Sequence, residues 1–256
     1  DPKTAGKLYS DKVHLICEKL SKLGRKPAAF ISESILGCGG HVPLPDEFLK
    51  KSYRHIRKYG GLCIADEIQV GFGRTGKHMW AFEFQGVLPD IVTLGKPMGN
   101  GHPLGAVITT KAIAEKFANG MEYFNTFGGS QVSSAVGMAV LDVIEKEKLM
   151  QNSFENGRLL KRNLEELKKT FPLIGDVRGE GYFLGLELVL DKETKEPAPL
   201  HAKYVVERMK SLRILLSTEG PGHNVIKFKP PMVFNQKDLQ KFTFELGKIL
   251  SETPLK

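Results

Sequence analysis

The sequence predicts an α/β fold in which a mostly parallel sheet is followed by an α+β region. Short apolar runs alternate with longer segments of helical periodicity through the first part of the chain. Strands that are apolar on both faces are typical of parallel sheets covered by helices. Near residue 150 the pattern changes, because the next strand alternates apolar and polar residues. We therefore expect two domains, over residues 1–150 and 151–256.

The elements of the first domain follow one another regularly. Helical spacing of apolar residues predicts a helix over residues 11–23, which Gly24 ends. Four apolar runs are too short for helices and are predicted to be buried strands, at residues 28–31, 61–65, 91–94 and 104–108. Further helices are expected over residues 45–59, 112–119 and 131–146.

The second domain mixes helices and strands. Leucines recur on one side of residues 153–170 and predict a long helix. The alternating stretch 181–190 predicts a strand. Further strands are expected at 214–216 and 225–228, alternating with helices over 202–212 and 237–250.

The net charge of +8 does not by itself indicate a nucleic-acid partner. Lysines and arginines are scattered along predicted helices and interleaved with glutamates, which is typical of solvated helix faces. The positive field also favours an anionic small molecule. The three cysteines, Cys17, Cys38 and Cys63, are odd in number and lack metal-ligand spacing. They favour a reducing compartment over a disulfide framework or a zinc site.

No membrane or targeting segment is expected. No run approaches the ~18 apolar residues that a membrane helix needs. The first residues show neither the apolar core of a signal peptide nor an Arg/Ser-rich transit pattern. We therefore predict a soluble protein with no membrane partner.

Reactive side chains follow two of the predicted strands. Asp66 and Glu67 come directly after one strand, and Lys96 follows the next. A lysine desolvated at the edge of an apolar sheet has a lowered pKa, and its neutral amine forms Schiff bases with carbonyls. A carboxylate at a neighbouring strand end can hold a pyridinium nitrogen protonated. A surface lysine and an exposed acid pair explain the same residues equally well.

Two glycine-rich segments allow phosphate binding. Residues 71–76 spell G-x-G-x-x-G, but they do not begin at the end of the strand, so a structural turn is favoured over a dinucleotide site. Residues 126–130 precede a long predicted helix, where hydroxyls and free backbone N–H groups form a phosphate seat. A helix N-cap explains Ser130 equally well.

Taken in order, these segments resemble the class III, ornithine-aminotransferase-like family of pyridoxal-phosphate enzymes, which have fold type I. Residues 66–76 are similar to its D-E-x-Q-x-G-F-G-R-x-G segment, and residues 89–96 to the segment that ends in its Schiff-base lysine. Residues 126–129 are similar to its T-[FY]-G-G phosphate motif. The resemblance implies a partial cofactor-binding large domain followed by an α+β small domain.

The same resemblance implies a role for each matching residue. Lys96 would be the Schiff-base lysine and the base that moves protons, and Asp66 would pair with the pyridine nitrogen of pyridoxal 5'-phosphate. Gln69 would contact the phenolic oxygen of the ring. Thr126 would reach the cofactor phosphate of the other subunit, because sites in this family form across a homodimer.

Within the family, the chain looks most like the phospho-lyase branch, which acts on ethanolamine phosphate or 5-phosphohydroxylysine. Ornithine-type transaminases use an arginine and glutamate pair as a switch between two substrates, and the matching positions here hold Lys227 and Cys38. A thiol cannot form that salt bridge, and lysine is a point charge rather than a planar fork. A permanently free Lys227, with Lys229 nearby, would bind the phosphate of one phosphorylated amine. The expected reaction is elimination of phosphate, after which hydrolysis of the resulting enamine by water would give an aldehyde and ammonia.

Two other interpretations remain open. The chain can be a transaminase, for example of the alanine-glyoxylate type. The resemblance also begins partway into the large domain of the family, so we expect an N-terminally truncated chain, and an inactive fragment that serves as an interaction subunit is the third possibility. Relatives in this branch are often mitochondrial, so mitochondrial and cytoplasmic locations both stay open.

Overall fold

The computed structural model describes the backbone of residues 2–252 and side chains from residue 4 onward. In chain order, the helices are α1 (Pro2–Lys22), α2 (Phe48–Lys58), α3 (Lys111–Phe117), α4 (Gln131–Lys146), α5 (Leu149–Thr170), α6 (Pro199–Ser211) and α7 (Gln236–Leu250). The strands are β1 (Ala29–Glu33), β2 (Ile35–Leu36), β3 (Val42–Pro43), β4 (Leu62–Asp66), β5 (Ile91–Leu94), β6 (Ala106–Thr109), β7 (Ile174–Glu180), β8 (Phe183–Leu188), β9 (Ser217–Glu219) and β10 (Val225–Phe228). Short 3₁₀ helices cover Ala81–Gln85 and Lys96–Gly99.

The chain divides into two compact units. The first unit contains the chain up to residue 34 and residues 44–72 and 80–146. The second unit contains residues 35–43 and 73–79 and the chain from residue 147 onward. The domains proposed at 1–150 and 151–256 stay a prediction, and their outermost positions, residue 1 and residues 253–256, lie outside the described residues.

The first unit is built on a sheet of order β1-β4-β5-β6. Strands β1, β4 and β5 are parallel, and β6 is antiparallel to β5. The prediction of a mostly parallel sheet is therefore confirmed. Parallel pairing places the carboxyl ends of β4 and β5 at the same edge, with Asp66 opposite Thr93.

Burial in this sheet is less complete than the apolar runs predicted. Alternate residues of β4, Cys63 and Ala65, are buried, and Cys63 packs in a cluster with residues of α2. In contrast, Ile31 of β1 is 60% exposed and Val107 of β6 is 66% exposed. The expectation of strands buried on both faces is wrong for these two edge strands, because an apolar side chain is buried only where a second layer covers it.

The second unit contains an antiparallel sheet of order β7-β8-β10-β9. Its core consists of side chains from this sheet and from α5, α6 and α7. A capping box begins α7. The Asn235 side chain accepts hydrogen bonds from the N–H groups of Lys237 and Asp238, and the Asp238 carboxylate accepts one from the N–H of Asn235. The residues of the β2–β3 connection pack on this unit, where Gly185 leaves room for His41.

Most predicted elements are present, but α1 begins at Pro2 rather than at residue 11, β2 and β3 were not predicted, and three other details are wrong. Residues 214–216 do not form a strand, and β9 begins only at Ser217. The apolar side chains of Ile214 and Leu216 pack against the core from a loop, which explains the misleading run. Strand β7 was missed because its glycines and charges hide the alternation, and α5 begins at Leu149 rather than residue 153. Each helix within residues 2–252 is too short or too polar to cross a membrane.

Candidate active site

Asp66 and Gln69 lie at the carboxyl edge of the parallel sheet. Asp66 ends β4 and is half-buried, and its Oδ1 accepts a hydrogen bond from the N–H of Ile68 at 3.0 Å. This bond fixes the carboxylate at the start of the loop. Gln69 follows in the same loop, where its Nε2 donates to Glu33 Oε1 at the end of the neighbouring β1, at 3.4 Å.

Lys96 follows β5, the neighbour of β4. It begins the short helix Lys96–Gly99 and has φ of 31°, a backbone conformation that a residue with a side chain rarely adopts. The structure therefore brings Lys96, Asp66 and Gln69 to one edge of the sheet. Lys96 is exposed, so the described residues do not supply the desolvation that we expected for it.

Glu67 is not part of an exposed acid pair. Its side chain is fully buried and accepts hydrogen bonds from Ser34 Oγ at 2.7 Å and from the N–H groups of Ala81 and Phe82 at 2.8 and 3.0 Å. Burial raises the pKa of Glu67 although these three donors favour its charged form. Glu67 thus joins the end of β4 to the helix Ala81–Gln85. The sequence pattern placed Asp66 and Glu67 together at a strand end and did not show that their roles differ.

The glycine-rich segment 71–76 forms a turn. A Cβ at Gly73 would lie 2.2 Å from Met150 Cγ, and one at Gly76 would lie 2.5 Å from the backbone of Phe154. Both glycines have positive φ, of 71° and 82°. Close packing against α5 and a left-handed backbone therefore require glycine at these two positions.

Thr126 lies in an exposed segment of the first unit. Asn125 Oδ1 accepts from the N–H groups of Phe127 and Gly128, both at 3.1 Å. These two N–H groups are consequently not free for a phosphate. This corrects our expectation that free backbone N–H groups of residues 126–130 form a phosphate seat. Ser130 Oγ accepts from the N–H of Ser133 at 3.4 Å, as expected for a helix N-cap.

Lys227 belongs to the second unit and is paired. It lies on β10, and its Nζ donates to Glu219 Oε1 on the adjacent strand β9. The expectation of a permanently free Lys227 is therefore wrong, because cross-strand pairing places a carboxylate beside it. Cys38, the residue at the other position of the expected switch, is exposed and is not part of a disulfide bond.

Lys229 lies near a buried histidine that sequence reasoning missed. The Lys229 Nζ is 5.2 Å from the ring centroid of Phe183, and the His41 ring is 4.2 Å from the same ring. His41 is fully buried, and burial together with the charges of Lys229, Lys227 and Arg178 lowers its pKa to about 3. No periodicity or motif in the sequence marked His41, because its burial depends on the packing of the β2–β3 connection.

The α/β architecture, a mostly parallel sheet with helices, is shared with pyridoxal-phosphate-dependent class III transaminases and a phospholyase. The chain belongs to the class III aminotransferase family, whose model matches residues 4–250. Enzymes of this family depend on pyridoxal phosphate.

Similar proteins include both transaminase-like and lyase-like members. An alanine–glyoxylate aminotransferase 2-like protein of Drosophila melanogaster is 51% identical over 96% of this chain and 50% of its own length. Ethanolamine-phosphate phospho-lyase homolog 1 of Caenorhabditis elegans is 41% identical over 96% of this chain and 54% of its own length. A mitochondrial alanine–glyoxylate aminotransferase 2 homolog of Arabidopsis thaliana is 48% identical over 82% of this chain and 44% of its own.

Among solved structures, a phospholyase from Arthrobacter in complex with phosphoethanolamine matches with a TM-score of 0.93. It is 35% identical, and the match covers 98% of this chain and 60% of that one. The chain spans about half the length of the curated relatives it matches.

Proposed function

We propose that the chain carries part of a pyridoxal-phosphate-dependent phospho-lyase that removes phosphate from a phosphorylated amine, of the ethanolamine phosphate or 5-phosphohydroxylysine type. The observation that carries the proposal is the pair of lysines, Lys227 and Lys229, at the end of β10. Lysine provides compact charges suited to a phosphate group. The similarity to a phospholyase that binds phosphoethanolamine supports the same substrate class.

The residues at the edge of the parallel sheet fit pyridoxal phosphate. Lys96 offers an exposed primary amine for its carbonyl, Asp66 a carboxylate for its pyridine nitrogen, and Gln69 an amide for its phenolic oxygen. The bond from Ile68 N–H holds the Asp66 carboxylate in one orientation. When bound, pyridoxal phosphate serves as an electron sink for a carbanion.

The protein groups divide the work of elimination. Asp66 would hold the ring nitrogen of the bound cofactor protonated, which would keep the ring electron-withdrawing. The Lys96 amine would remove a proton from the substrate carbon that bears the amine. The ammonium groups of Lys227 and Lys229 would bind the phosphate of the substrate and neutralise the charge that develops on it as it leaves.

We also propose that a second copy of the chain completes the site, as a homodimer. Thr126 would reach the cofactor phosphate of the other subunit. Its segment carries large exposed apolar side chains, including Phe127, which is 84% exposed, Phe124 and Met121. Several large exposed apolar side chains within one short segment are typical of a protein interface. The mitochondrial name of the Arabidopsis thaliana relative supports a mitochondrial location, with the cytoplasm as the alternative.

A transaminase is the second candidate, and one observation favours it. The Lys227–Glu219 ion pair can open when a substrate carboxylate replaces Glu219, which would allow one site to accept two substrates in turn. The names of the relatives from Drosophila melanogaster and Arabidopsis thaliana support this alternative.

The deciding experiment supplies the chain with pyridoxal phosphate and phosphoethanolamine, with and without a keto acid, and measures released inorganic phosphate. We expect release that does not need the keto acid, is abolished in Lys96→Ala, and shows a KM raised roughly tenfold in Lys227→Ala because a charge-assisted contact is lost. Lys192→Ala, a change at an exposed lysine of the second unit, is the matched control.

Three results would count against the proposal. Equal turnover in Lys227→Ala, or transamination of a keto acid with equal efficiency, would exclude a dedicated phospho-lyase. If borohydride reduction leaves no pyridoxyl adduct on Lys96, the chain is an interaction subunit or fragment without catalytic activity of its own.

A further inference from the structure

The buried imidazole of His41 lacks hydrogen-bond partners within the described part of the chain. Its side chain is fully buried, and neither Nδ1 nor Nε2 is hydrogen-bonded among residues 4–252. Buried polar groups are nearly always paired, so the two unpaired ring nitrogens show that hydrogen bonding does not explain a histidine at this position. His41 also has φ of 57°, which adds backbone strain.

The surroundings of His41 show what its ring supports. A Cβ at Gly185 would lie 2.9 Å from His41 Cβ, so the absence of a side chain on β8 lets the imidazole approach the sheet. The imidazole centroid is 4.2 Å from that of Phe183, with the two rings inclined by 31°. The Lys229 ammonium lies 5.2 Å from the centroid of the same Phe183 ring, which is a cation–π distance.

The cationic side chains around His41 disfavour the protonated form of its imidazole. Lys229, Lys227 and Arg178 all act on His41 electrostatically. Arg178 is compensated by Glu187 and Asp176, and Lys227 by Glu219. A protonated His41 would add a further cation to this group and weaken the position of Lys229 on the ring, whereas a neutral aromatic ring does not.

We propose that His41 is a positioning residue for anion binding: its neutral ring supports Phe183 from within the protein, and Phe183 in turn holds the ammonium of Lys229. The inference rests on the proposed function, in which Lys229 binds the phosphate of the substrate. The aromatic face of residue 41 is what matters, and its nitrogen atoms are dispensable.

The proposal is tested by a matched pair of substitutions of similar size. His41→Phe keeps an aromatic ring and removes the two unpaired nitrogens, while His41→Leu is apolar but has no ring. Inorganic phosphate is the probe, and protection of Lys229 from acetylation by acetic anhydride, mapped by mass spectrometry, is the readout. Exposed Lys192 serves as the internal reference.

We expect phosphate to protect Lys229 from acetylation in the parent and in His41→Phe. The phosphate concentrations needed for protection should agree within about twofold. In His41→Leu the protecting concentration should rise about fivefold, the size expected if the unsupported Phe183 ring no longer makes its cation–π contact with Lys229. His41→Phe should also melt at a higher temperature than the parent, because it no longer buries two unpaired polar atoms.

The outcomes separate this inference from the proposed function. If phosphate protects neither Lys227 nor Lys229 in the parent, the assignment of a phosphorylated substrate fails. If phosphate protects the parent and His41→Leu at equal concentrations, or if His41→Phe loses protection as His41→Leu does, the positioning role of the ring is refuted while the phosphate assignment stands.

Discussion

Replacing Glu67 by glutamine measures how firmly the end of β4 is held beside Asp66. The buried carboxylate accepts from Ser34 Oγ at 2.7 Å and from the N–H groups of Ala81 and Phe82 at 2.8 and 3.0 Å. The glutamine amide keeps one acceptor oxygen, but its NH₂ group cannot accept a hydrogen bond. At least one of these three donors therefore faces another donor. A buried donor left unsatisfied costs roughly 1–3 kcal/mol, and relief of the buried charge offsets part of the loss. We expect a net destabilisation of about 2–3 kcal/mol.

Thermal unfolding followed by circular dichroism tests this magnitude. For a chain of this size 1 kcal/mol corresponds to about 2–4 °C, so Glu67→Gln should lower Tm by roughly 5–10 °C. Glu83→Gln is the matched control, because Glu83 is exposed and its carboxylate accepts a bond from the N–H of Trp80 at 3.0 Å. Its Tm should fall by less than about 3 °C. Equal falls in the two variants would refute the reasoning.

The pH dependence of the same variant gives a second test. Burial raises the pKa of Glu67 above its ordinary value of 4.5, so the folded state binds this proton more tightly than the unfolded state. The contribution of Glu67 to stability is therefore fully present below 4.5 and is lost as pH rises through the raised value. The advantage of the parent over Glu67→Gln should shrink over the range in which pH rises from 4.5 through the raised pKa of Glu67. An advantage that grows over this range would mean that the three hydrogen bonds outweigh burial.

Three other predictions concern the site and the turn. Lys96→Ala should abolish the single borohydride-stable pyridoxyl adduct seen by mass spectrometry, whereas Lys111→Ala should retain it; adducts spread over many lysines would contradict a site at Lys96. Glu219→Gln should release Lys227 from its ion pair and lower the KM for a phosphorylated amine about two- to fivefold, since surface and half-buried ion pairs contribute up to about 1 kcal/mol. An unchanged KM in steady-state assays would mean that Lys227 does not bind the substrate. Gly76→Ala should destabilise the chain by more than about 2 kcal/mol in urea unfolding, because its φ is 82° and its Cβ would lie 2.5 Å from the Phe154 backbone; a neutral result would show that α5 moves to make room.

The expected chemistry of Lys227 illustrates the limit of a linear pattern. The sequence placed a lysine and a thiol where related transaminases have an ion pair, and from this we predicted a free cation. The antiparallel register of β9 and β10 brings Glu219 to Lys227, although eight positions separate them. A partner across a sheet is invisible to periodicity, because it depends on which strands pair and in which register.

Burial is the second property that pattern reasoning estimated poorly. Residues 28–31 and 104–108 were expected to be buried because they are apolar, yet Ile31 and Val107 are more than half exposed. Conversely, Glu67 and His41 are polar and fully buried. An apolar run records what a residue prefers, whereas its exposure depends on whether another layer of the structure lies over it.

The sequence by itself determined the local elements and the chemical types at the site. Residues 91–94, 131–146 and 225–228 were predicted to the residue, since short apolar runs and long periodic segments are set by local side-chain patterns. Asp66 and Lys96 were also predicted to meet at one sheet edge, because parallel neighbours share their carboxyl ends. Only the tertiary structure decided that Glu67 is a buried anchor, that Lys227 is paired and that the His41 ring is buried against Phe183. These depend on contacts between residues far apart in the chain, whose free energies come from packing and desolvation rather than from local conformational preference.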